Sequence, residues 1–178
     1  MHFNIAGCVV LFSSVIAALP IVEPSLEGRG QNNASPNHVL IGYRVVAEAQ
    51  AREYHDAGDT LIPTAPEYAA GRQLGEGVYL TPRLHDWAGK RRDWFCAVYA
   101  DADALNEVAK ARIPEDLWFN DAAIDSYIAA LGGESLVPRN TLRLGAIKGL
   151  RGKQQLVIPP GYSTQMGWAQ HLCAMRSG

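Results

Sequence analysis

The chain has 178 residues, of which 48% are apolar and 19% charged, with a formal net charge of −2. After loss of a leader, about 160 residues remain, enough for one domain with its own core. The near-neutral balance and the lack of a basic amphipathic stretch speak against nucleic acid or a membrane surface as the partner.

Residues 1–18 read as a signal peptide. The apolar run from Ile5 to Phe12 leads into Ser13-Ser14 and small residues near Ala18, and falls short of the ~20 apolar residues a spanning helix needs. Secretion to an extracellular, oxidising setting is the expectation. There Cys96 and Cys173 either form a bridge, or Cys96 is a buried free thiol and Cys173 sits on a mobile tail. Residues 19–37, rich in Pro, Gly, Asn and Ser, read as a flexible lead-in and carry the sequon Asn33-Ala34-Ser35. A domain over 38–160 and a tail over 161–178 complete the chain.

Val39 to Arg44 reads as a strand. Ala47 to Ala57 reads as a helix, with Glu48 and Arg52 one turn apart and Gly58 at its end. Gly71 to Gly77 reads as polar and flexible, and Gly77 to Thr81 as a second strand stopped by Pro82. Leu84 to Gly89 looks like a short helix. Trp94 to Ala100 is apolar on both faces and reads as a central strand. Asp103 to Ala111 is expected to be helical and Pro114 to Phe119 a loop. Asn120 or Asp121 caps a helix with the stripe Ile124, Tyr127, Ile128 and Leu131, ended by Gly132-Gly133. After a loop over Ser135 to Asn140, Leu142, Leu144 and Ala146 alternate with Arg143 and Gly145 as in a half-buried strand. Gln154 to Ile158 is another strand, and beyond Pro159-Pro160 lies a polar tail with Trp168 and Leu172 as anchors. Strands and short helices mix without a βαβ rhythm, so the fold class is α+β.

Two strand ends carry the chemistry. Arg44 closes the run His38-Val39-Leu40-Ile41-Gly42-Tyr43, and a cation ending a buried strand is costly without acceptors or an anion. Thr81 closes Gly77-Val78-Tyr79-Leu80. No metal site is expected, because His38, His55, His85 and His171 form no ligand pair at helical spacing. Gly71 to Gly77 lacks the lysine of a P-loop, no Gly-x-Ser-x-Gly elbow is present, and Cys96 lies mid-strand, unsuited to nucleophilic duty.

Taken in order, these segments resemble the catalytic A chain of the cholera and heat-labile enterotoxins, a family of ADP-ribosyltransferases. Gly42-Tyr43-Arg44 is similar to that family's Leu-Tyr-Arg first strand, and Glu53 to Pro63 to the helix and loop after it. Gly77-Val78-Tyr79-Leu80-Thr81 resembles Gly-Tyr-Val-Ser-Thr, and Trp94 to Ala102 the aromatic-rich central strand. Trp118-Phe119-Asn120-Asp121 resembles Met-Phe-Asn-Val-Asn-Asp. Thr141 to Ile147 resembles Val-Ser-Ala-Leu-Gly-Gly-Ile.

The resemblance implies split antiparallel sheets around an NAD-binding cleft, flanked by short helices. It implies transfer of ADP-ribose from NAD to a side chain of a host protein by a secreted toxin or effector. Arg44 then holds NAD, with Tyr43 and Tyr79 beside it, and Thr81 braces a catalytic carboxylate. The sequence departs from the family at that carboxylate. Asn140 stands directly before Thr141 where the family has Glu, and the nearest upstream acid is Glu134; Asp121 and Asp125 read as capping and solvent-facing residues. Two alternatives stand beside the transferase: a catalytically impaired effector that keeps the fold as a binding module, and a small secreted interaction module held by the cysteine bridge.

Overall fold

The structure is a computed structural model that describes residues 37–62, 72–132, 136–163 and 169–175. The leader, the sequon at Asn33, Glu134 and Trp168 lie outside the described residues. The architecture is α+β, with two sheets and short helices.

The first sheet has three antiparallel strands in the order β1–β3–β7: β1 is His38–Val46, β3 Trp94–Asp101 and β7 Ala169–Met175. Helix α1, Glu48–Asp56, follows β1. Its Glu48–Arg52 pair forms at 2.5 Å, and it ends at Ala57 with Gly58 in the left-handed region at φ 71°.

The second sheet has four strands in the order β2–β6–β5–β4: β2 is Val78–Leu80, β4 Ala109–Arg112, β5 Thr141–Ala146 and β6 Gln154–Ile158. It is mixed rather than antiparallel, because β4 runs parallel to β5. A parallel pair needs a long crossover. Here that connection includes α3, Asp121–Gly132, and short 3₁₀ turns at Glu115–Leu117 and Pro138–Asn140.

One core lies on the face shared by both sheets and α1, with Tyr54, Val78, Leu80, Cys96, Val98 and Ile158 buried in it. A second packs Ile124 and Ile128 of α3 against Val157 and Ala111 of the four-stranded sheet.

Several expectations change. Helix α2 spans only Ala102–Glu107, and residues 109–111, expected to continue it, lie in β4, Ala109–Arg112. Asp101 caps α2 by accepting from Asp103 N and Ala104 N, and these bonds hold its carboxyl below its ordinary pKa. At the other end, Lys110 folds back to donate to Leu105 O (2.5 Å) and Val108 O (2.8 Å), satisfying carbonyls that a longer helix would have used. Residues 84–89 are turns, not a helix. His85 sits at φ 68°, with its ring edge-on to Phe95 at 4.6 Å. The stretch read as a polar tail contributes β7, and a Cys96–Cys173 disulfide joins directly paired residues, with Cα atoms 3.9 Å apart.

Strand β5 departs from simple alternation. Thr141, Leu142 and Arg143 are all buried, whereas Leu144 is 37% exposed. Arg143 points into the fold because acceptors converge there. It donates to Leu74 O (2.9 Å), to Pro138 O (3.3 Å) and to Asp125 Oδ1 (3.0 Å). Asp125, expected to face solvent, is the counter-ion of this buried arginine. Asn120 caps α3 through its Oδ1 to Ala123 N, and Asp121 pairs with Arg72.

Two stability predictions follow. Replacing both Cys96 and Cys173 by Ala removes a cross-link spanning 77 residues, and denaturant unfolding is expected to show a loss of about 4 kcal/mol. Arg143→Ala strips three acceptors of their donor and is expected to cost about 3 kcal/mol, against about 1 kcal/mol for Asp125→Asn, whose carboxylate is half in water.

Candidate functional site at the junction of the sheets

Strand β1 meets β2 at a single bridge. Tyr43 N donates to Thr81 O at 2.7 Å, and Thr81 N to Tyr43 O at 2.8 Å. The close approach needs Gly42: a Cβ there would lie 2.9 Å from Thr81 O and 3.1 Å from Leu80 Cβ.

Paired residues of an antiparallel bridge project from one face, and successive residues from opposite faces. Tyr43 and Thr81 therefore share one face, while Gly42, Arg44 and Leu80 share the other. The structure brings Arg44 and Thr81 together along the backbone and turns their side chains apart.

Arg44 is 8% exposed and lies on the face of Val46, Leu80 and Cys96. Burial draws its guanidinium below the ordinary arginine pKa, and Tyr54 of α1 opposes that shift. Across β2 and β6, Leu80 pairs with Leu156, so apolar side chains occupy the positions beside the arginine's face. The Thr81 hydroxyl, also buried, lies 3.1 Å from Arg83 O and 3.4 Å from Tyr43 O.

Tyr79 is committed to a loop. Its hydroxyl donates to Gly75 O (2.7 Å) and accepts from Leu74 N (2.9 Å), and its ring lies 6.2 Å from Trp87. Burial pushes the phenol up to about 12, against the opposing pull of the Leu74 amide and Arg143.

Asn140 is not part of this junction. Tyr79, Val157 and Arg143 are aligned across β2, β6 and β5. Thr81 lies two residues beyond Tyr79 and Asn140 three before Arg143, on strands running the same way. Their levels in the sheet differ by roughly 15 Å at ~3.3 Å per residue. Asn140 instead packs against Gly161 of α4, Pro160–Ser163, with its backbone N–H donating to Val137 O (2.8 Å).

Two glutamines escaped the sequence reading. Gln155, 3% exposed, directly precedes Leu156, the β6 partner of Leu80. Its Nε2 donates to Ala146 O at 3.2 Å. Gln73 lies in a segment expected to be flexible, yet it is 4% exposed. Its Nε2 donates to Ala146 O (2.7 Å), its Oε1 accepts from Lys148 N (2.9 Å), and its backbone oxygen accepts from Phe119 N (3.0 Å). For Gln155, the signal is a glutamine within the strand Gln154–Ile158, directly before the apolar run Leu156-Val157-Ile158; for Gln73 there is none, because its partners are distant in sequence.

Beyond Ala146, an open cleft of about 640 Å³ lies at the β5–β6 turn, lined by Trp118, Phe119, Lys148, Leu150 and Arg151 among others. Among the described residues no group of three His, Cys, Asp or Glu side chains is placed to hold a metal ion. No described helix is long and apolar enough to cross a membrane.

Residues 72–172, more than half of the chain, match the family described as "Family of unknown function (DUF5910)". The chain belongs to that family. No curated protein matches it. The matched span of this DUF5910 chain begins at Arg72, so it takes in β2, Thr81 and both glutamines but not Arg44 on β1.

Tyr79 gives a pH test. The folded phenol titrates near 12 and the unfolded one at its ordinary 10.0. Between those values the unfolded chain loses its proton first, so this group's contribution to stability falls as pH rises. Unfolding measured from pH 9 to pH 12 is expected to show the wild type losing on the order of 1–2 kcal/mol more than Tyr79→Phe across that window, after allowance for partial exposure. At neutral pH the variant is expected to be about 1 kcal/mol less stable, from the two lost hydrogen bonds.

Proposed function

We propose that the chain is a secreted protein of the enterotoxin A-chain type, which binds NAD and transfers ADP-ribose to a side chain of a partner protein. The observation that carries this reading is Arg44. Its guanidinium carries the planar fork of donors that matches a dinucleotide diphosphate. Its place on the first strand, one residue after the Tyr43–Thr81 bridge, is the place the resemblance assigns to the arginine that holds NAD. In the transfer, the bond between the ribose anomeric carbon and the nicotinamide nitrogen breaks. Its electron pair leaves with neutral nicotinamide, and the acceptor side chain forms the new bond to that carbon and releases its proton to water. The ribosyl centre passes through an oxocarbenium-like state that a fixed negative charge stabilises.

A second reading is favoured by a specific observation. Leu80 and Leu156 occupy the positions on the arginine's face, and the Thr81 hydroxyl projects from the other. Neither leucine supplies charge or a hydrogen bond to a carboxylate. On this reading the protein keeps the scaffold to bind NAD and a partner, without transfer.

Both readings answer to one experiment on the purified mature chain: titration with NAD alongside an assay of released nicotinamide. The transferase is expected to release nicotinamide, and Arg44→Lys is expected to lower that release at least 100-fold, since lysine cannot reproduce the planar fork. NAD binding without release would leave the second reading standing. Absence of both would sink the two together.

A further inference from the structure

The cleft at the β5–β6 turn is a built site. Gln73, itself buried, ties both of its walls. Its backbone oxygen holds the Phe119 amide at 3.0 Å, and its side chain holds Ala146 O at 2.7 Å and Lys148 N at 2.9 Å. Phe119 is kept at φ 65°, a conformation that bulky residues rarely adopt, and is left 52% exposed. Backbone strain that displays an aromatic ring to solvent is a feature of binding sites rather than of cores. The Lys148 ammonium lies 4.9 Å from the centre of that ring. Across the turn, Leu150 is 38% exposed and Arg151 is exposed.

The charge in the cleft is not balanced. Among the described residues neither Lys148 nor Arg151 has an ion-pair partner, and Glu115 is the acidic residue of the lining. The site therefore offers Trp118, Phe119 and Leu150 as apolar and stacking surface, beside two cations and one anion. Its complement is a ligand that is both acidic and aromatic. A volume of about 640 Å³ holds a few side chains.

We propose that this cleft docks an acidic, aromatic-bearing segment of the partner protein, with carboxylates on Lys148 and Arg151 and a ring against Phe119 and Trp118. Naming that segment as part of the partner rests on the function proposed above. The charge and aromatic recognition itself does not require nicotinamide release. The cleft connects towards the junction through Ala146, whose carbonyl accepts from both Gln73 and Gln155, and Gln155 directly precedes Leu156, the β6 partner of Leu80. A segment held there lies along the same sheet as the junction.

The test uses the full chain and a random glutamate–tyrosine copolymer as probe, with polyglutamate and a lysine–tyrosine copolymer as controls. Binding is read by quenching of tryptophan fluorescence and by biolayer interferometry at low salt. The glutamate–tyrosine copolymer is expected to bind at least tenfold more tightly than either control. Lys148→Glu and Arg151→Glu, each checked for an unchanged melting temperature, are expected to weaken that binding tenfold or more. Phe119→Gly, which relieves the backbone strain, is expected to weaken it as well. Equal binding of polyglutamate, indifference to the charge reversals, or tighter binding of adenosine monophosphate would overturn the proposal, the last in favour of a nucleotide site. Nicotinamide release is measured in parallel on the wild type. Release without copolymer binding refutes the cleft alone, whereas copolymer binding without release refutes the transferase and keeps the cleft.

Discussion

The two hydrogen bonds between Tyr43 and Thr81 are the constraint on which the rest of the molecule depends. Among the described residues they are the backbone link between sheets that otherwise have separate strand orders. The bridge forms only because residue 42 has no side chain, since backbone and Cβ atoms of β2 occupy that space. Once it has formed, alternation fixes everything nearby. Arg44 and Leu80 must share a face with the core, and Tyr43 and Thr81 must look the other way.

A second level of organisation is polar and buried. Tyr79 and Arg143 converge on the segment 73–75, bonding the backbone of Leu74 and Gly75, and the Gln73 side chain ties that segment to Ala146 and Lys148. Burying such groups unpaired is expensive, so a loop entering the fold must find these partners. The result is that a segment with the composition of a mobile linker becomes a rigid spacer between α3, β5 and the β5–β6 turn. Position 75 shows how tight the arrangement is: the Arg143 guanidinium occupies the space a Cβ would need there. The same clamps shape the cleft beside Phe119, so core stability and the geometry of a surface site are held by the same residues.

On the other side of the molecule the disulfide does comparable work by covalent means. Cys96 is the register partner of both Arg44 on β1 and Cys173 on β7. The bridge therefore lies across the middle of the three-stranded sheet, level with the buried arginine, and holds the outer strand β7 in register.

The sequence by itself determined the local elements whose signals are short-range. The apolar run at Trp94 specified a central strand. The Glu48–Arg52 spacing and Gly58 specified α1, and Asn120 with its apolar stripe specified α3. The α+β class followed from these. Tertiary structure alone decided β4, because residues 109–111 read as the end of a helix until β5 offers a parallel partner and Lys110 closes α2. It decided that the stretch around Cys173 is the strand β7, where the sequence left a Cys96–Cys173 bridge and a mobile tail as alternatives. It also decided the contents of the candidate site. Sequence order placed Arg44 and Thr81 at strand ends as a matched pair, and the bridge between their strands turned the two side chains to opposite faces. The packed sheets left Asn140 at a distant level and buried Gln155 beside the Leu80–Leu156 pair. The reason is that the direction of a side chain in a sheet depends on which residue it pairs with, and pairing between residues 38 or more positions apart is set by the packed whole rather than by local sequence.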